Sequence, residues 1–195
     1  MTTDRFDQPT YLICGDLRKL FAHAYGIYDP QGQLVLYAYM GTLRGFQNAD
    51  IRLYTAEDRQ TEVLLIQGRD RIDFLGTYDV TDAATGRKIG VLERRGFKSM
   101  VKDEWVIMDA EDRRIGVISE DSVLLALLRR FAGSLIPQTY YAEIGPTQVC
   151  IFRRNLNPLV TKLTVDFSVD RSRVLDRRLG LAAGVLLCAI EGRQS

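Results

Sequence analysis

The residues that could support nucleophilic chemistry in this chain are few. Cys14 and His23 lie close in sequence and could form a thiolate–imidazolium pair, in which the histidine takes the proton of the thiol. His23 is the only histidine, and it stands among apolar and aromatic residues in "KLFAHAYGIY", a setting typical of a structural histidine. The chain has no GxSxG nucleophile elbow, glycine-rich phosphate loop or HExxH zinc motif. We therefore expect a non-enzymatic protein.

The cysteines and carboxylates do not predict a metal site. Cys14, Cys150 and Cys188 are widely spaced and form no CxxC pair, so neither zinc nor a disulfide framework is indicated. Calcium requires about six to eight oxygen ligands, usually from several acids at fixed spacing in one loop. The acids near the predicted turns are isolated, and hydrogen bonds to the turn backbone explain them; they are Asp29, Asp82, Asp109, Glu111 and Asp112. We expect no metal and no cofactor, with calcium as the less favoured alternative.

The best candidate for a binding surface is the short basic stretch "ERRGFKSMVKDE". Cations alternate there with apolar side chains, and the candidate lipid-binding residues are Arg94, Arg95, Phe97, Lys98 and Lys102. On one interpretation the cations contact phosphate headgroups while Phe97 enters the membrane interface, and each cation contributes about 1 kcal/mol near an anionic leaflet. On the other, the charges form a solvated connection between strands, and their field is weakened by the flanking acids Glu93, Asp103 and Glu104.

Composition limits the classes of partner. The chain has 195 residues, of which 46% are hydrophobic and 26% charged, and its formal net charge is +1. These values are typical of one globular domain. A charge so close to neutral argues against nucleic acid as a partner. The start of the chain lacks the charged-then-apolar progression of a signal peptide, so we expect a cytoplasmic protein, with peripheral association with a membrane as an open alternative.

The most apolar stretch is "LGLAAGVLLCAIEG", in which Leu179–Ile190 carries no charge. A bilayer core requires about 20 apolar residues, and extension toward the N-terminus brings in charged residues that cost about 2.5–3.5 kcal/mol each at a helix centre. We therefore expect no transmembrane segment. The leucine and alanine content favours a helix, and a helix that is apolar on every side must be enclosed on every side. We predict a central helix at about 174–191 whose core residues include Leu179, Leu181, Val185, Leu186 and Ile190.

Small and charged residues of this stretch also have predicted roles. Gly180 and Gly184 form a GxxxG pair, which indicates dimerisation only in an apolar segment of about 20 residues. In this shorter segment we expect the glycines to let surrounding backbone approach the helix. Arg177 and Arg178 are expected to cap the mouth of the enclosing structure or to pair with Asp176.

The rest of the chain is dominated by hairpin patterns. Alternating apolar residues flank turns that bear Asp, Pro or Gly in four stretches, Ala24–Met40, Thr77–Arg95, Glu104–Asp121 and, more loosely, Tyr140–Arg154. A second helical pattern begins at Asp121 or Ser122 and ends at Pro137; we favour its packing against the barrel wall over its lying on a membrane. Ten or more strands around one apolar helix predict a closed antiparallel β-barrel, because closure removes exposed strand edges. Without a linker-like tract, we expect residues 1–195 to form a single domain.

Four segments follow one another in a characteristic order: "DFLGTYDVTDAATGRKIGVLERRGFKSMVKDEWVIMDAEDRRIGVISEDS", "LLRRFAGSLIPQTYYAEIG", "FRRNLNPLVTKLTVDFS" and "LDRRLGLAAGVLLCAIEGRQ". Through these segments the chain resembles, from Asp73 to Gln194, the LURP-one-related proteins, which share a superfamily with tubby proteins and phospholipid scramblases. The resemblance implies a twelve-stranded, mainly-β barrel wrapped around a central hydrophobic C-terminal helix.

The same resemblance implies a function at membranes. Tubby proteins bind phosphoinositides through basic residues of the barrel, and scramblases are associated with calcium and with lipid movement; no headgroup-binding position is carried over to this chain. We expect a non-enzymatic protein that binds phospholipid or phosphoinositide peripherally at the cytoplasmic membrane face. The alternative is a soluble adaptor that binds a protein partner through the barrel surface. A scramblase-type lipid transporter is a third, less favoured hypothesis.

Overall fold

The computed structural model of the chain describes residues 5–15, 24–41, 50–69, 76–95, 104–120, 138–155 and 162–191. The described residues form twelve strands and one helix. The strands are β1 (Thr10–Gly15), β2 (Ala24–Tyr28), β3 (Leu34–Met40), β4 (Ile51–Tyr54), β5 (Glu62–Gly68), β6 (Thr77–Asp82), β7 (Lys88–Arg95), β8 (Glu104–Met108), β9 (Arg114–Glu120), β10 (Thr139–Ile144), β11 (Thr147–Arg154) and β12 (Lys162–Asp166), and the helix is α1 (Arg177–Glu191). The second predicted helix, which begins at Asp121 or Ser122, lies outside the described residues.

The twelve strands form one closed antiparallel barrel. Each strand pairs with its neighbours in sequence, and the first strand also pairs with the last, so that Leu12 of β1 lies opposite Thr164 of β12. Strands β1–β5, from the first part of the chain, are adjacent members of the same barrel. Because the barrel closes, none of these twelve strands has a free hydrogen-bonding edge. The predicted mainly-β, closed barrel is confirmed.

An aspartate organises each of several tight turns. Asp29 Oδ1 accepts hydrogen bonds from the backbone N–H groups of Gln31 and Gln33, at 2.9 and 2.8 Å. Asp109 binds the backbone of its own turn in the same way. Gly32, in the first of these turns, adopts a φ of 77°, a left-handed conformation that favours glycine. These carboxylates therefore have the turn-stabilising role that the sequence predicts.

The central helix runs through the lumen of the barrel. Every residue from 179 to 190 is buried. Leu179 packs against Gly90 of β7, whereas Gly184 faces Ile13 of β1. In the ring of twelve strands β7 lies directly across from β1, so the helix contacts opposite walls. The predicted core residues are at most 5% exposed; they are Leu179, Leu181, Val185, Leu186 and Ile190.

The two helical glycines make room for side chains and not for backbone, so the prediction about backbone approach was wrong. A β-carbon on Gly180 would lie 2.5 Å from the ring of Phe167. One on Gly184 would lie 2.9 Å from the terminal carbons of Ile13 and Val165. At Gly184 the reason is that a strand backbone stands behind its own inward side chains. At Gly180 the space is filled by the ring of Phe167, which follows β12.

The helix begins where a short segment leads out of β12. The helix comprises fifteen residues, from Arg177 to Glu191, which is close to the predicted range of 174–191. No helix within the described part of the chain combines the length and the apolar character that a membrane span requires.

Candidate functional site

The barrel has two chemically different ends. Tight turns join the strands at one end, the turn rim, which consists of residues 29–33, 55–61, 83–87, 109–113 and 145–146. At the opposite end, the connection rim, the strands lead into residues 16–23, 42–49, 70–75, 96–103, 121–137 and 156–161. This division follows from the strand order, because successive connections of an antiparallel barrel lie at alternating ends. The helix begins at the turn rim and runs toward the connection rim.

The two rims differ in charge and in apolar content. The five turns contain six acidic and three basic residues, a formal net charge of −3, and no aromatic, Leu, Ile, Val or Met residue. The six segments that start and end at the connection rim contain eight basic and five acidic residues, a net charge of +3. They also contain five of the eight phenylalanines of the chain, namely Phe21, Phe46, Phe74, Phe97 and Phe131. The segments that start and end at the connection rim are thus more basic and richer in phenylalanine than the turns of the opposite rim.

The predicted basic cluster begins on a strand, and the strand divides it. Leu92 of β7 is fully buried, and Arg94, two residues further on, shares its inward face and is 6% exposed. The side chain of Arg95 points outward and is 52% exposed. Successive side chains of a strand alternate between its two faces, so Arg94 and Arg95 do not form one surface. Arg94 therefore does not occupy the exposed, headgroup-facing position that we predicted for it.

Arg95 lies at the connection rim, but its charge is partly compensated. Its Nε atom is 3.5 Å from Glu93 Oε1, and the strand register places Glu104 of β8 opposite it. Both acids belong to the set that sequence analysis named as weakening the cluster. The remaining predicted members lie outside the described residues, so their role stays a prediction; they are Phe97, Lys98 and Lys102.

An additional cation, which the sequence analysis missed, is exposed at the same rim. Lys162 begins β12 and lies opposite Cys14 of β1. Within the described residues its ammonium group has no ion-pair partner. Arg153, on the neighbouring strand, is instead paired with Asp166 at 3.0 Å. A single lysine in an alternating strand carries no local signal, and only closure of the barrel shows what surrounds it.

Cys14, the candidate nucleophile, faces the outside of the barrel and is partly exposed. Burial raises its pKa, and the nearby ammonium of Lys162 lowers it by less, so the pKa is raised overall. A raised pKa keeps the thiol protonated at neutral pH, which is the opposite of an activated thiolate. Cys188 is buried, and burial raises its pKa to about 12. The other member of the candidate pair, His23, lies outside the described residues.

A buried carboxylate organises the segment that leads into the helix. Asp170, which is 2% exposed, accepts hydrogen bonds from the N–H groups of Val174 and Leu175, at 2.9 and 3.1 Å. It also accepts one from Arg177 Nη1 at 3.3 Å. The guanidinium of Arg177 lies over the ring of Phe167, 4.5 Å from its centroid. Sequence analysis did not single out Asp170, because a lone aspartate in an irregular segment has no pattern that marks it.

The arginines around the start of the helix are balanced by acids. Arg178 pairs with Asp176 at 2.6 Å, as the sequence suggested, and with Asp82 of β6 at 2.7 Å. Arg173 pairs with Asp7. These residues, together with Phe6, Leu175 and Arg177, line a cleft of about 450 Å³ at the turn rim. Because each arginine there already has a carboxylate partner, the cleft has no excess of positive charge for an anionic ligand.

Metal ligands are not grouped in the part of the chain that the structure describes, where no set of three or more His, Cys, Asp or Glu side chains could hold an ion. Comparison of the chain with protein-family models, with curated proteins and with solved structures found no match. The likeness to LURP-one-related proteins therefore rests on the four quoted segments alone.

Proposed function

We propose that this chain is a non-enzymatic protein of the LURP-one-related type that binds anionic phospholipid or phosphoinositide peripherally, through its connection rim, at the cytoplasmic face of a membrane. The observation that carries the proposal is the contrast between the two rims, with a net charge of +3 and five phenylalanines on the segments of one and a net charge of −3 on the turns of the other. An anionic membrane surface attracts cations and accommodates apolar side chains at the headgroup boundary.

The contrast also predicts an orientation. All six connecting segments start and end at one rim, so binding is expected end-on, with the acidic turns directed away from the membrane. The reverse orientation would bring the six acids of the turns toward anionic headgroups, where like charges repel. The exposed Lys162 at the connection rim adds to the attraction.

The expected binding is reversible and sensitive to salt. Each Lys or Arg near an anionic leaflet contributes about 1 kcal/mol, and the contribution falls off within a Debye length of about 8–10 Å. Glu93, which lies beside Arg95, reduces the contribution of that cation. The three cations together are expected to contribute about 2–3 kcal/mol, which corresponds to a factor of roughly 30 to 150 in affinity.

Flotation of the purified chain with lipid vesicles tests the proposal. We expect binding to phosphatidylcholine vesicles that contain phosphatidylserine or a phosphoinositide at low salt, loss of that binding at high salt, and no binding to phosphatidylcholine alone. The triple substitution Arg95→Gln, Lys98→Gln and Lys102→Gln should abolish flotation. The matched control, Arg87→Gln, Arg113→Gln and Arg171→Gln, removes the same charge from exposed positions at the other end of the barrel and should leave flotation intact.

Two results would overturn the proposal. Equal loss of binding in the two triple variants would show that net charge matters and the connection rim does not. Absence of binding to every vesicle would favour the adaptor alternative, in which the barrel surface binds a protein.

A further inference from the structure

A shallow groove of about 500 Å³ runs along the outer wall of the barrel, over β12, β1 and β2. Outward-facing side chains of these strands form its floor. The turn between β2 and β3 forms the end of the groove that lies at the turn rim. The lining is mostly apolar and includes Leu12, Cys14, Tyr28, Pro30 and Thr164.

The strand register explains why a groove forms at this place. Leu12 lies between Thr164 of β12 and Tyr28 of β2. Cys14, the next outward residue of β1, lies opposite Gly26 of β2. Because Gly26 has no side chain, the outer surface of the barrel is lower at this place. The ring of Tyr28 folds across that glycine, so that a β-carbon on Gly26 would lie 2.7 Å from the ring. A flat aromatic surface therefore continues the apolar floor.

The two ends of the groove differ in charge. Lys162 lies opposite Cys14 on the other side of β1, is exposed, and has no ion-pair partner among the described residues. At the turn-rim end, Asp29 lines the groove, and its carboxylate accepts hydrogen bonds from the backbone of its own turn. The groove is thus mostly apolar and ends in Asp29 at the turn rim. Lys162 does not line it but lies next to its connection-rim end, opposite Cys14.

We propose that this groove binds a single-chain anionic amphiphile, a long-chain fatty-acid carboxylate, with the hydrocarbon chain along Leu12 and Tyr28 and the carboxylate beside Lys162. The volume of the groove lies within the range of about 300–1,000 Å³ that is typical of small-molecule sites, and its lining is mostly apolar, as theirs is. The charge at Lys162 selects an anion, and Asp29 repels a carboxylate from the opposite end, which fixes the direction of the ligand. The site is separate from the basic cluster after β7. It shares Lys162 with the connection rim, but binding of a monomeric carboxylate there requires no membrane.

Cys14 provides a direct reporter of occupancy in the full chain. It is the one cysteine of the three that is partly exposed, since Cys150 and Cys188 are buried. The alkylation rate of Cys14 by a maleimide, measured with rising concentrations of monomeric dodecanoate, should fall to a plateau. Longer carboxylates should protect at lower concentrations, by up to roughly fourfold per methylene if the added carbon is fully buried. Dodecanol and dodecyltrimethylammonium should protect much less.

Substitutions separate the head site from the chain site. Lys162→Gln should weaken protection by dodecanoate about fivefold, the size expected for one exposed charge pair, and leave protection by dodecanol unchanged. Leu12→Asp should abolish protection. The control Leu65→Asp alters an outward leucine of β5, between the buried Leu64 and Ile66. Dodecanoate should protect Cys14 of this variant as well as it protects Cys14 of the parent.

The possible contrary results are distinct. Equal protection by dodecanol and dodecanoate, or no effect of Lys162→Gln, would overturn the placement of the carboxylate. Absence of protection at any chain length would overturn the site. Circular dichroism of the Leu12→Asp variant distinguishes loss of the groove from loss of the fold, and Lys162→Gln, at an exposed position, tests the proposal independently.

Discussion

Arg178 of the central helix and Asp82 of β6 are 96 positions apart in the chain, yet Arg178 Nη1 donates a hydrogen bond to Asp82 Oδ2 at 2.7 Å. The same guanidinium donates to Asp176, just before the helix, at 2.6 Å. Apolar burial is not directional, so a polar contact of this kind adds a constraint on where the helix lies relative to the wall. Arg178 therefore links the start of the helix to one particular strand of the barrel.

Removal of this link should destabilise the fold modestly. The side chains of Arg178 and Asp82 are 33% and 21% exposed, so a double-mutant cycle with Arg178→Gln and Asp82→Asn should give a coupling of about 0.5–1 kcal/mol. Urea unfolding followed through the fluorescence of Trp105, which is 1% exposed, provides the four free energies. A coupling near zero would mean that the helix is positioned by packing alone.

The aspartates around the helix start should make the stability sensitive to acid. Hydrogen bonds from Thr85, followed by the charge of Arg178, lower the pKa of Asp82. Burial raises the pKa of Asp176, but the hydrogen bonds and charge of Arg178 outweigh it and lower that pKa overall. A carboxylate whose pKa is lower in the folded state stabilises the fold fully above its unfolded pKa of about 3.9, and this stabilisation is lost as the pH falls through the folded pKa.

The free energy of unfolding contributed by these groups should therefore be constant above about pH 5 and decline below about pH 4. Asp176→Asn should flatten the decline, because the substituted side chain no longer titrates. Urea unfolding of the parent and the variant at pH values between 3 and 6 would measure how the free energy of unfolding declines with pH in each protein. The same acid slope in both proteins would contradict the assignment.

Loss of the buried carboxylate of Asp170 should be far more costly. Removing one partner of a buried ion pair typically costs about 3–5 kcal/mol, and Asp170→Ala also strips the hydrogen-bond acceptor from the N–H groups of Val174 and Leu175. The control Arg171→Ala changes an exposed neighbour in the same segment and should stay within about 0.5 kcal/mol of the parent. If Asp170→Ala lost less than about 1 kcal/mol, Asp170 would not be the organiser of this segment.

Gly180→Ala tests whether the helix is packed as tightly as the structure indicates. Alanine is favoured over glycine inside a helix by about 1 kcal/mol, yet we expect a net loss of about 1–3 kcal/mol, because the added carbon would lie 2.5 Å from the ring of Phe167. The loss should be smaller in a Phe167→Leu background than in the parent, which unfolding of the four proteins would show. A gain in stability from Gly180→Ala alone would mean that the site has spare room.

The three thiols should differ sharply in reactivity. In the folded chain at pH 8 we expect a maleimide to modify Cys14 only, because Cys150 and Cys188 are buried and burial raises the pKa of both. Mass spectrometry should show one label per folded chain and three after unfolding in urea. Labelling of Cys188 in the folded chain would reveal an opening of the barrel that the closed structure does not allow.

Several features could be foreseen because they depend on local composition. The Asp29 turn follows from the residues of the turn itself, and the enclosure of Leu179–Ile190 follows from the absence of charge over the whole stretch. The split of Arg94 from Arg95 could also have been foreseen, since extending the alternation from Leu92 assigns Arg94 to the lumen. Treating the cluster as one loop concealed this, because a strand and a loop present neighbouring side chains differently.

The sequence by itself determined that the chain folds as antiparallel hairpins around one apolar helix, because periodicity, turn chemistry and hydrophobicity act over short stretches. Only the tertiary structure decided which side chains share a surface. Closure of β1 on β12 places Lys162 beside Cys14, and the seating of the helix places Arg178 against Asp82. Such neighbours depend on strand register, where a shift of one residue turns every side chain to the opposite face, and no local pattern specifies the register between distant strands.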